Sequence, residues 1–180
     1  MKKVLITRPL PDVVVAEARK YFDVTVRSET SPLSTSEMQT ALGAFDGIMP
    51  TLGDMFQPAV FDSLSKSKCT ILANFGVGYN HIDVDAALQR GVTVSNTPGA
   101  VTDATADIAM TLMLMSARRA GEGERLVRSG EWEGWHPTQM LGLHLSGKTV
   151  GIVGMGRIGQ AIAQRCHYGF GMKVGYVSRS

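Results

Sequence analysis

The sequence predicts a protein of the α/β class, and two features of the chain carry that prediction. Short apolar runs alternate with helical stretches from residue 4 to residue 94, which is typical of a parallel sheet covered by helices on both faces. A Gly-x-Gly-x-x-Gly segment at 154–159 then separates an apolar run from a helical stretch, as in a dinucleotide-binding turn. We therefore expect a flavodoxin-like, doubly wound lobe at 1–98 and the start of a Rossmann domain at 147–180.

The five predicted strands of the first lobe are short and apolar. They lie at 4–7, 24–26, 47–49, 70–73 and 92–94. Pro9 and Pro50 follow the first and third of these runs. Because proline cannot donate to a sheet ladder, we expect both strands to end there.

Helices are predicted between the strands, and their ends carry specific signals. The predicted helices lie at 12–21, 34–42, 56–64, 83–90 and 102–119. Ser34 can cap the second helix because Glu37 lies three residues on, and Gly43 is expected to end it. Thr102 is the expected cap of the fifth helix, with Asp103 at the positive end of its dipole.

Residues 99–146 are predicted to form a crossover helix and a dimerisation arm. The long helix carries one apolar stripe, consisting of Ala104, Ile108, Leu112 and Met115. Such a stripe is normally core or a subunit interface. The segment 121–146 contains glycines, alternating charges, Trp132 and Trp135, and is expected to be extended. Exposed tryptophans there require a partner or a second domain that covers them.

Each glycine of the 154–159 segment has a physical reason. Gly154 permits a tight turn after the strand, Gly156 lets the backbone approach a pyrophosphate, and Gly159 lets the helix lie close to the strand. The helix N-terminus adds unpaired N–H groups and a partial positive charge. The alternative is a glycine-rich turn in an ordinary βαβ unit.

The end of the second Rossmann strand predicts which dinucleotide is preferred. An NAD site usually places Asp or Glu there, whereas this strand ends in Ser178, Arg179 and Ser180, and 159–180 contains no Asp or Glu. Arginine flanked by hydroxyls can hold a 2′-phosphate through charge-assisted hydrogen bonds. We therefore predict NADP(H) in preference to NAD(H). The alternative is a solvated Arg179, with either cofactor accepted.

Composition excludes several classes of function. The chain has 180 residues, is 44% hydrophobic and has a formal net charge of +2, so no electrostatic argument favours nucleic acid or an acidic membrane surface. No apolar run approaches the roughly 20 residues of a membrane span. Cys69 and Cys166 have no metal-like spacing and are expected to be buried thiols in a reducing cytoplasm.

The nucleotide-binding unit that begins near 147 contains only two strands and one helix in this sequence. Two strands and one helix leave long unpaired sheet edges. We therefore expect the 180 residues to be part of a longer protein, cut inside its second domain.

Three motifs give the chain a resemblance that covers essentially its whole length. They are Asn-Phe-Gly-Val-Gly-Tyr-Asn-His-Ile-Asp at 74–83, Val-Ser-Asn-Thr-Pro-Gly-Ala-Val-Thr-Asp-Ala-Thr-Ala-Asp at 94–107, and the glycine segment at 151–160. With these motifs the chain resembles the N-terminal half of a D-isomer-specific 2-hydroxyacid dehydrogenase. The Glu-Trp-Glu-Gly-Trp segment at 131–135 and the Ser-Arg-Ser end look most like the glyoxylate/hydroxypyruvate reductase branch.

The resemblance implies reduction of a small 2-oxo acid to the D-2-hydroxy acid by hydride transfer from NAD(P)H. Val77 and Gly78 match the loop whose backbone N–H groups hold the substrate carboxylate, and consecutive amides in a tight turn form an anion nest. Leu52 matches a residue that lines the substrate pocket. Trp135 matches an arm residue that can reach the partner subunit's active site, or that only packs in a homodimer interface formed by 102–146.

Cofactor contacts are also implied by the resemblance. Thr105 lies near the nicotinamide in the family, and Arg157 and Ile158 match contacts at the glycine turn. The full expected cofactor set is Thr105, Gly154, Gly156, Arg157, Ile158, Gly159, Ser178, Arg179 and Ser180.

The family's catalytic Arg, Glu and His are expected beyond Ser180. The histidines present are His81, His136, His144 and His167, and none matches the family's catalytic motif. We assign none of them as the acid and expect the 180-residue chain alone to be inactive, because general acid–base catalysis contributes about 10²–10⁴-fold. The alternative function is a catalytically silent module that binds dinucleotide or dimerises.

Overall fold

The computed structural model describes residues 1–62 and 66–179. The chain forms two compact units, one spanning Met1–Pro98 and a second that begins at Gly99. Each unit has its own sheet.

The first unit is built on five parallel strands in the order β2-β1-β3-β4-β5. The strands are β1 (Lys3–Ile6), β2 (Asp23–Val26), β3 (Gly47–Met49), β4 (Ile71–Ala73) and β5 (Thr93–Ser95). This is the flavodoxin-like, doubly wound order, with a topological switch point between β1 and β3. The predicted α/β class is therefore confirmed. All five carboxyl ends lie at one edge of the sheet, where ligands bind in such folds.

The core of the first unit lies between the sheet and its helices. The helices are α1 (Asp12–Arg19), α2 (Thr35–Ala44), α3 (Pro58–Asp62) and α4 (Val84–Gln89). Residues 63 and 64, which close the predicted helix 56–64, lie outside the described residues. Leu42, Ile48, Phe56, Phe61 and Leu72 are almost completely buried in one cluster. Burying a side chain of this size contributes roughly 1.5–3 kcal/mol, so the cluster holds the strand ends in fixed positions.

Helix α2 confirms one end signal and corrects another. The Ser34 hydroxyl accepts from the Glu37 N–H, and the Glu37 carboxylate accepts from the Ser34 N–H, which is a complete capping box. The expectation that Gly43 ends the helix is wrong. The helix continues to Ala44, and Phe45 ends it by taking an extended conformation with its N–H on the Ala41 carbonyl.

The second unit consists of three helices and a two-stranded parallel sheet. Its elements are α5 (Thr102–Ala117), α6 (Ala120–Arg128), β6 (Thr149–Val153), α7 (Arg157–Gln164), a π turn (Arg165–Gly169) and β7 (Lys173–Val177). Met110, Cys166 and Met172 form its buried cluster. The β6-α7-β7 order is the predicted strand–turn–helix–strand unit.

Two expectations for 99–146 are corrected. Thr102 is not the cap of α5: Val101 holds the cap position, and no side chain caps the helix. The segment from 121 is also not extended throughout, because α6 occupies its first part. Ion pairs at helical spacing, Arg119–Glu122 and Glu124–Arg128, favour that helix.

The apolar stripe of α5 is not the face that packs inside the unit. Ala106, Met110 and Ala117 are buried, whereas Ile108 and Leu112 are each 60% exposed. In the described part of the chain, no helix combines the length and the apolar character that a membrane crossing requires.

Candidate functional site

The loop that follows β4 lies at the carboxyl edge of the five-stranded sheet and is tied to both neighbouring strands. The Asn74 N–H donates to the Ser95 carbonyl at 2.8 Å, and the Phe75 N–H donates to the Pro50 carbonyl at 2.9 Å. Gly76 has φ +150°, a conformation that residues with a side chain rarely adopt. The loop is thus held at both sides just before its tip, 76–78.

The carbonyl groups of this tip all accept hydrogen bonds from the protein. The Asn74 side-chain amide donates to the carbonyls of Gly76 at 3.1 Å and Gly78 at 2.9 Å. The Asn96 amide donates to the Val77 carbonyl at 2.8 Å. The N–H groups of Val77 and Gly78 have no acceptor among residues 1–62 and 66–179. Two adjacent unpaired donors on an immobilised turn are a cradle suited to an anion.

Leu52 lies in the loop that follows β3, at the same edge of the sheet. Its side chain is 65% exposed. The fully buried carboxylate of Asp54 holds this loop by accepting from the Thr7 hydroxyl at 2.6 Å and the N–H groups of Thr51 at 2.9 Å and Leu33 at 3.0 Å. The loop that carries Leu52 is therefore held in place by hydrogen bonds to a buried carboxylate.

Arg8 lies beside the buried carboxylate of Asp54. Its Nη2 is 3.7 Å from Asp54 Oδ1, and its guanidinium lies so close to Gly53 that a Cβ there would collide with it. The Nε and Nη2 atoms are buried without a hydrogen-bond partner in the described structure. Asp54 is thus the counter-charge of a cation under the loop that carries Leu52.

The glycine turn of the second unit has the geometry that its motif predicts. Gly154 has φ +97°, and a Cβ on Gly159 would collide with the Gly154 carbonyl oxygen. A Cβ on Gly156 would meet nothing within 4 Å, so the space above that residue is open to a bound group. The close contact of helix and turn therefore depends on Gly159, and the open cradle depends on Gly156.

Helix α7 begins directly after the turn and presents free donors to it. Gly156 holds its cap position with no side-chain cap. The N–H groups of Arg157, Ile158 and Gly159 have no acceptor within the described ranges. Unpaired N–H groups at a helix N-terminus suit a phosphate, so the residues present fit a dinucleotide pyrophosphate.

The remaining predicted cofactor and arm residues also belong to the second unit. Ser178 and Arg179 follow β7 and are exposed, while Ser180 lies outside the described residues. Thr105 is exposed in the first turn of α5. Trp135 is 79% exposed. The described structure thus places Leu52, Val77 and Gly78 on one sheet edge and the cofactor set in the other unit.

His81 is the buried histidine of the first unit. It is 5% exposed, its Nε2 lies 3.0 Å from Asn74 Oδ1, and burial lowers its pKa. His167 Nδ1 is 3.0 Å from the Met172 carbonyl oxygen and has a structural partner. Over the residues that the structure describes, no three His, Cys, Asp or Glu side chains are grouped as a metal site.

Sequence reasoning did not single out Asn74, Asn96 or Asp54. A usable signal exists for two of them, because Asn74 and Asn96 are polar residues that directly follow the strands β4 and β5. Polar side chains at the carboxyl ends of parallel strands lie where ligands bind. Asp54 lies further from its strand, and only the tertiary structure shows its partners.

With both sites described, comparison with known proteins defines the class. Residues 4–174 match the sequence model of the D-isomer specific 2-hydroxyacid dehydrogenase catalytic domain. The chain belongs to the D-isomer specific 2-hydroxyacid dehydrogenase family.

Individual relatives agree with that class. The chain is 43% identical over 176 residues to glycerate dehydrogenase of Hyphomicrobium methylovorum, covering 97% of this chain and 54% of that one. It is 43% identical over 182 residues to glyoxylate reductase of Thermococcus kodakarensis, covering 99% and 54%. The chain therefore spans about half the length of the curated relatives it matches.

Solved structures show the same relationship. The TT0316 protein of Thermus thermophilus superposes with a TM-score of 0.89 at 40% identity, covering 99% of this chain and 56% of that one. An NADPH-dependent glyoxylate/hydroxypyruvate reductase of Sinorhizobium meliloti, solved with citrate, superposes with a TM-score of 0.80 at 31% identity, covering 100% and 55%.

Proposed function

We propose that this chain is the N-terminal part of an oxidoreductase that reduces a small 2-oxo acid of the glyoxylate or hydroxypyruvate type to the D-2-hydroxy acid. The observation that carries the proposal is the pair of unpaired N–H groups at Val77 and Gly78, on a sheet edge where α/β folds bind ligands. A carboxylate is the group that every 2-oxo acid offers to such a cradle. The names of the relatives agree with this substrate class.

The chain's own residues have three roles in this proposal. Val77 and Gly78 bind the carboxylate, and Leu52 forms an apolar wall of the pocket. The turn at Gly154, Gly156 and Gly159 and the free N–H groups at the start of α7 bind the pyrophosphate of the cofactor. A bound dihydronicotinamide supplies the hydride. The Arg, Glu and His that complete the reaction are proposed to lie outside the 180 residues of this chain.

The preferred cofactor in this proposal is NADP(H). Arg179 is exposed and is the second residue after β7, and no carboxylate between 159 and 179 opposes it. A guanidinium there can pair with a 2′-phosphate. Thr105 is assigned to the nicotinamide end of the site, and Ser178 and Ser180 to the ribose phosphate.

A homodimer is the proposed assembly. The exposed stripe of α5 and the exposed Trp135 supply apolar surface for a second copy of the chain, since apolar patches of this kind mark interfaces. Trp135 is proposed to reach the substrate site of the partner subunit.

The test is NADPH oxidation followed at 340 nm with glyoxylate and with hydroxypyruvate, with NADH in parallel. The chain alone is expected to give no turnover. The chain joined to the remaining residues of the Thermococcus kodakarensis glyoxylate reductase is expected to give turnover, faster with NADPH. A folded chimera that binds NADPH and reduces neither acid would contradict the proposal, and equal rates with both cofactors would contradict the role of Arg179.

A further inference from the structure

Two buried polar side chains of the first unit have no role in the chemistry described so far. Asn74 is 2% exposed and His81 is 5% exposed. Burying such groups costs free energy unless their hydrogen bonds are satisfied. Their partners therefore indicate what the two residues do.

The orientation of the Asn74 amide is fixed by its contacts. Its Nδ2 donates to two carbonyl oxygens, those of Gly76 and Gly78, so both N–H bonds of that nitrogen are used. The flipped amide would put Oδ1 against two carbonyl oxygens, which offer no proton. Oδ1 must therefore face His81 Nε2, at 3.0 Å, and it acts as the acceptor.

The same contact fixes the tautomer of His81. Because Asn74 Oδ1 can only accept, the proton between the two side chains belongs to His81 Nε2. Burial lowers the pKa of His81, which favours the neutral ring, so Nδ1 carries no proton at neutral pH.

The backbone around His81 anchors it independently of the loop tip. The His81 carbonyl accepts from Gln57 Nε2 at 3.1 Å, and the next residue, Ile82, forms a parallel bridge with Phe56. Phe56 is fully buried in the core cluster. The backbone at 81–82 is thus fixed by contacts with the segment at 56–57. From that backbone the His81 imidazole binds the Asn74 side-chain amide, and the amide binds the carbonyls of Gly76 and Gly78.

We propose that Asn74 and His81 are positioning residues for substrate carboxylate binding. By holding the Gly76 carbonyl, Asn74 orients the peptide group that carries the Val77 N–H, and by holding the Gly78 carbonyl it fixes the peptide group that follows the Gly78 N–H. The peptide group between them, which carries the Gly78 N–H, is held through the Val77 carbonyl by Asn96. Without the Asn74 donors, the Gly76 carbonyl keeps one bond, from the Thr97 N–H at 3.1 Å, and the Gly78 carbonyl has none among the described residues. The peptide plane between Gly78 and Tyr79 is then free to rotate, and the Gly76–Val77 plane has lost one of its two bonds, so the cradle is weakened on both sides of the Gly78 N–H. The inference rests on the proposed binding of a carboxylate at Val77 and Gly78.

The test uses the whole ¹⁵N-labelled 180-residue chain and oxamate, a small unreactive 2-oxo acid analogue. Saturable shifts of the Val77 and Gly78 amide resonances are expected on titration with oxamate, and none with neutral lactamide. Asn74→Asp is expected to weaken oxamate binding about tenfold or more, which corresponds to about 1.4 kcal/mol. Asn80→Asp adds the same charge at an exposed position of the same loop and is expected to stay within about threefold of the wild type, as for one exposed charge.

His81 is tested by substitution and by its proton. His81→Phe removes the donor and is expected to weaken oxamate binding, while His81→Gln, which keeps an N–H donor, is expected to restore part of it. Unchanged strand resonances verify that each variant is folded. In the wild type, long-range ¹H–¹⁵N spectra are expected to show a protonated Nε2 and an unprotonated Nδ1.

The outcomes separate this inference from the proposed function. If oxamate leaves Val77 and Gly78 of the wild type unshifted, the carboxylate site itself is wrong. If the wild type binds oxamate and folded Asn74→Asp and His81→Phe variants bind it equally well, only the positioning role is wrong. If His81 in the wild type is neutral with its proton on Nδ1, it cannot donate to Asn74 Oδ1. That result would contradict the positioning role of His81, whatever the variants show.

Discussion

The Phe75 N–H donates a 2.9 Å hydrogen bond to the Pro50 carbonyl oxygen, and this bond joins the two loops that carry the proposed substrate contacts. Pro50 begins the loop of Leu52, and Phe75 is the second residue of the loop of Val77. The two loops follow the neighbouring strands β3 and β4. The bond therefore fixes the position of one loop relative to the other at the carboxyl edge of the sheet. A change in the support of one loop is therefore expected to displace the other.

Replacement of Asp54, the buried carboxylate under the loop that carries Leu52, is expected to destabilise the first unit. Asp54 accepts from Thr7, Thr51 and Leu33 and lies against Arg8. In Asp54→Ala these donors lose their acceptor and the Arg8 guanidinium loses its counter-charge, so the free energy of unfolding should fall by about 3 kcal/mol. Urea denaturation followed by far-UV circular dichroism measures this change.

Asp85→Asn is the matched control for that substitution. Asp85 is exposed in the first turn of α4, where a carboxylate contributes about 0.3–1 kcal/mol through the helix dipole. Equal losses in the two variants would show that Asp54 has no special role in supporting the loop.

Gly156 and Gly159 of the glycine turn are expected to respond differently to a methyl group. Gly159→Ala forces a Cβ against the Gly154 carbonyl oxygen, so α7 must shift and the stability should fall by about 1–3 kcal/mol. Gly156→Ala places its Cβ in open space and should leave the melting temperature nearly unchanged. Thermal denaturation distinguishes the two.

Binding of NADPH gives the second readout for these variants. Both should weaken binding, Gly159→Ala through the displaced helix and Gly156→Ala through direct collision with the pyrophosphate. Fluorescence titration with NADPH measures the dissociation constant of each variant. Full NADPH affinity in Gly156→Ala would place the pyrophosphate elsewhere.

The capping box of α2 gives a pH dependence whose sign is fixed. Hydrogen bonds from the Ser34 hydroxyl and N–H lower the pKa of Glu37 below its ordinary value, which is about 4.3 in unfolded chains. A lowered native pKa stabilises the fold at pH values above that of the unfolded chain, and the contribution is lost as the pH falls through the native value. The melting-temperature gap between wild type and Glu37→Ala should therefore be present at pH 7 and narrow at pH 3.

A double-mutant cycle between Ser34→Ala and Glu37→Ala assigns that effect to the pair. The coupling should be measurable at pH 7 and smaller at pH 3. A coupling that stays constant over this range would mean that the Glu37 charge does not take part.

The fold class was predictable because buried parallel strands are nearly continuous apolar runs. Errors arose where a local signal competed with tertiary contacts. Glycine is a common helix terminator, but α2 continues past Gly43 to Ala44. The helix ends at Phe45, whose side chain packs against the core cluster. Helix α6 was missed because its glycines outweighed the charge spacing between Arg119 and Arg128.

The site was only partly predictable. The motif at 74–83 locates the loop of Val77 and Gly78, because the resemblance is local in sequence. The support of that loop is not local: Asn96 reaches Val77 across 19 residues and Thr7 reaches Asp54 across 47. Such pairs depend on which strands become neighbours, which a single sequence does not specify.

The exposed stripe of α5 leads to a prediction about assembly. Ile108 and Leu112 are each 60% exposed, so a glutamate at 112 should leave the fold intact while it places a charge in the proposed dimer interface, where desolvation is costly. Wild type is expected to be a dimer and Leu112→Glu a monomer in light scattering at equal concentration. Leu88→Glu, at an exposed leucine of α4, should remain dimeric. A monomeric wild type, or a dimeric Leu112→Glu protein, would remove α5 from the interface.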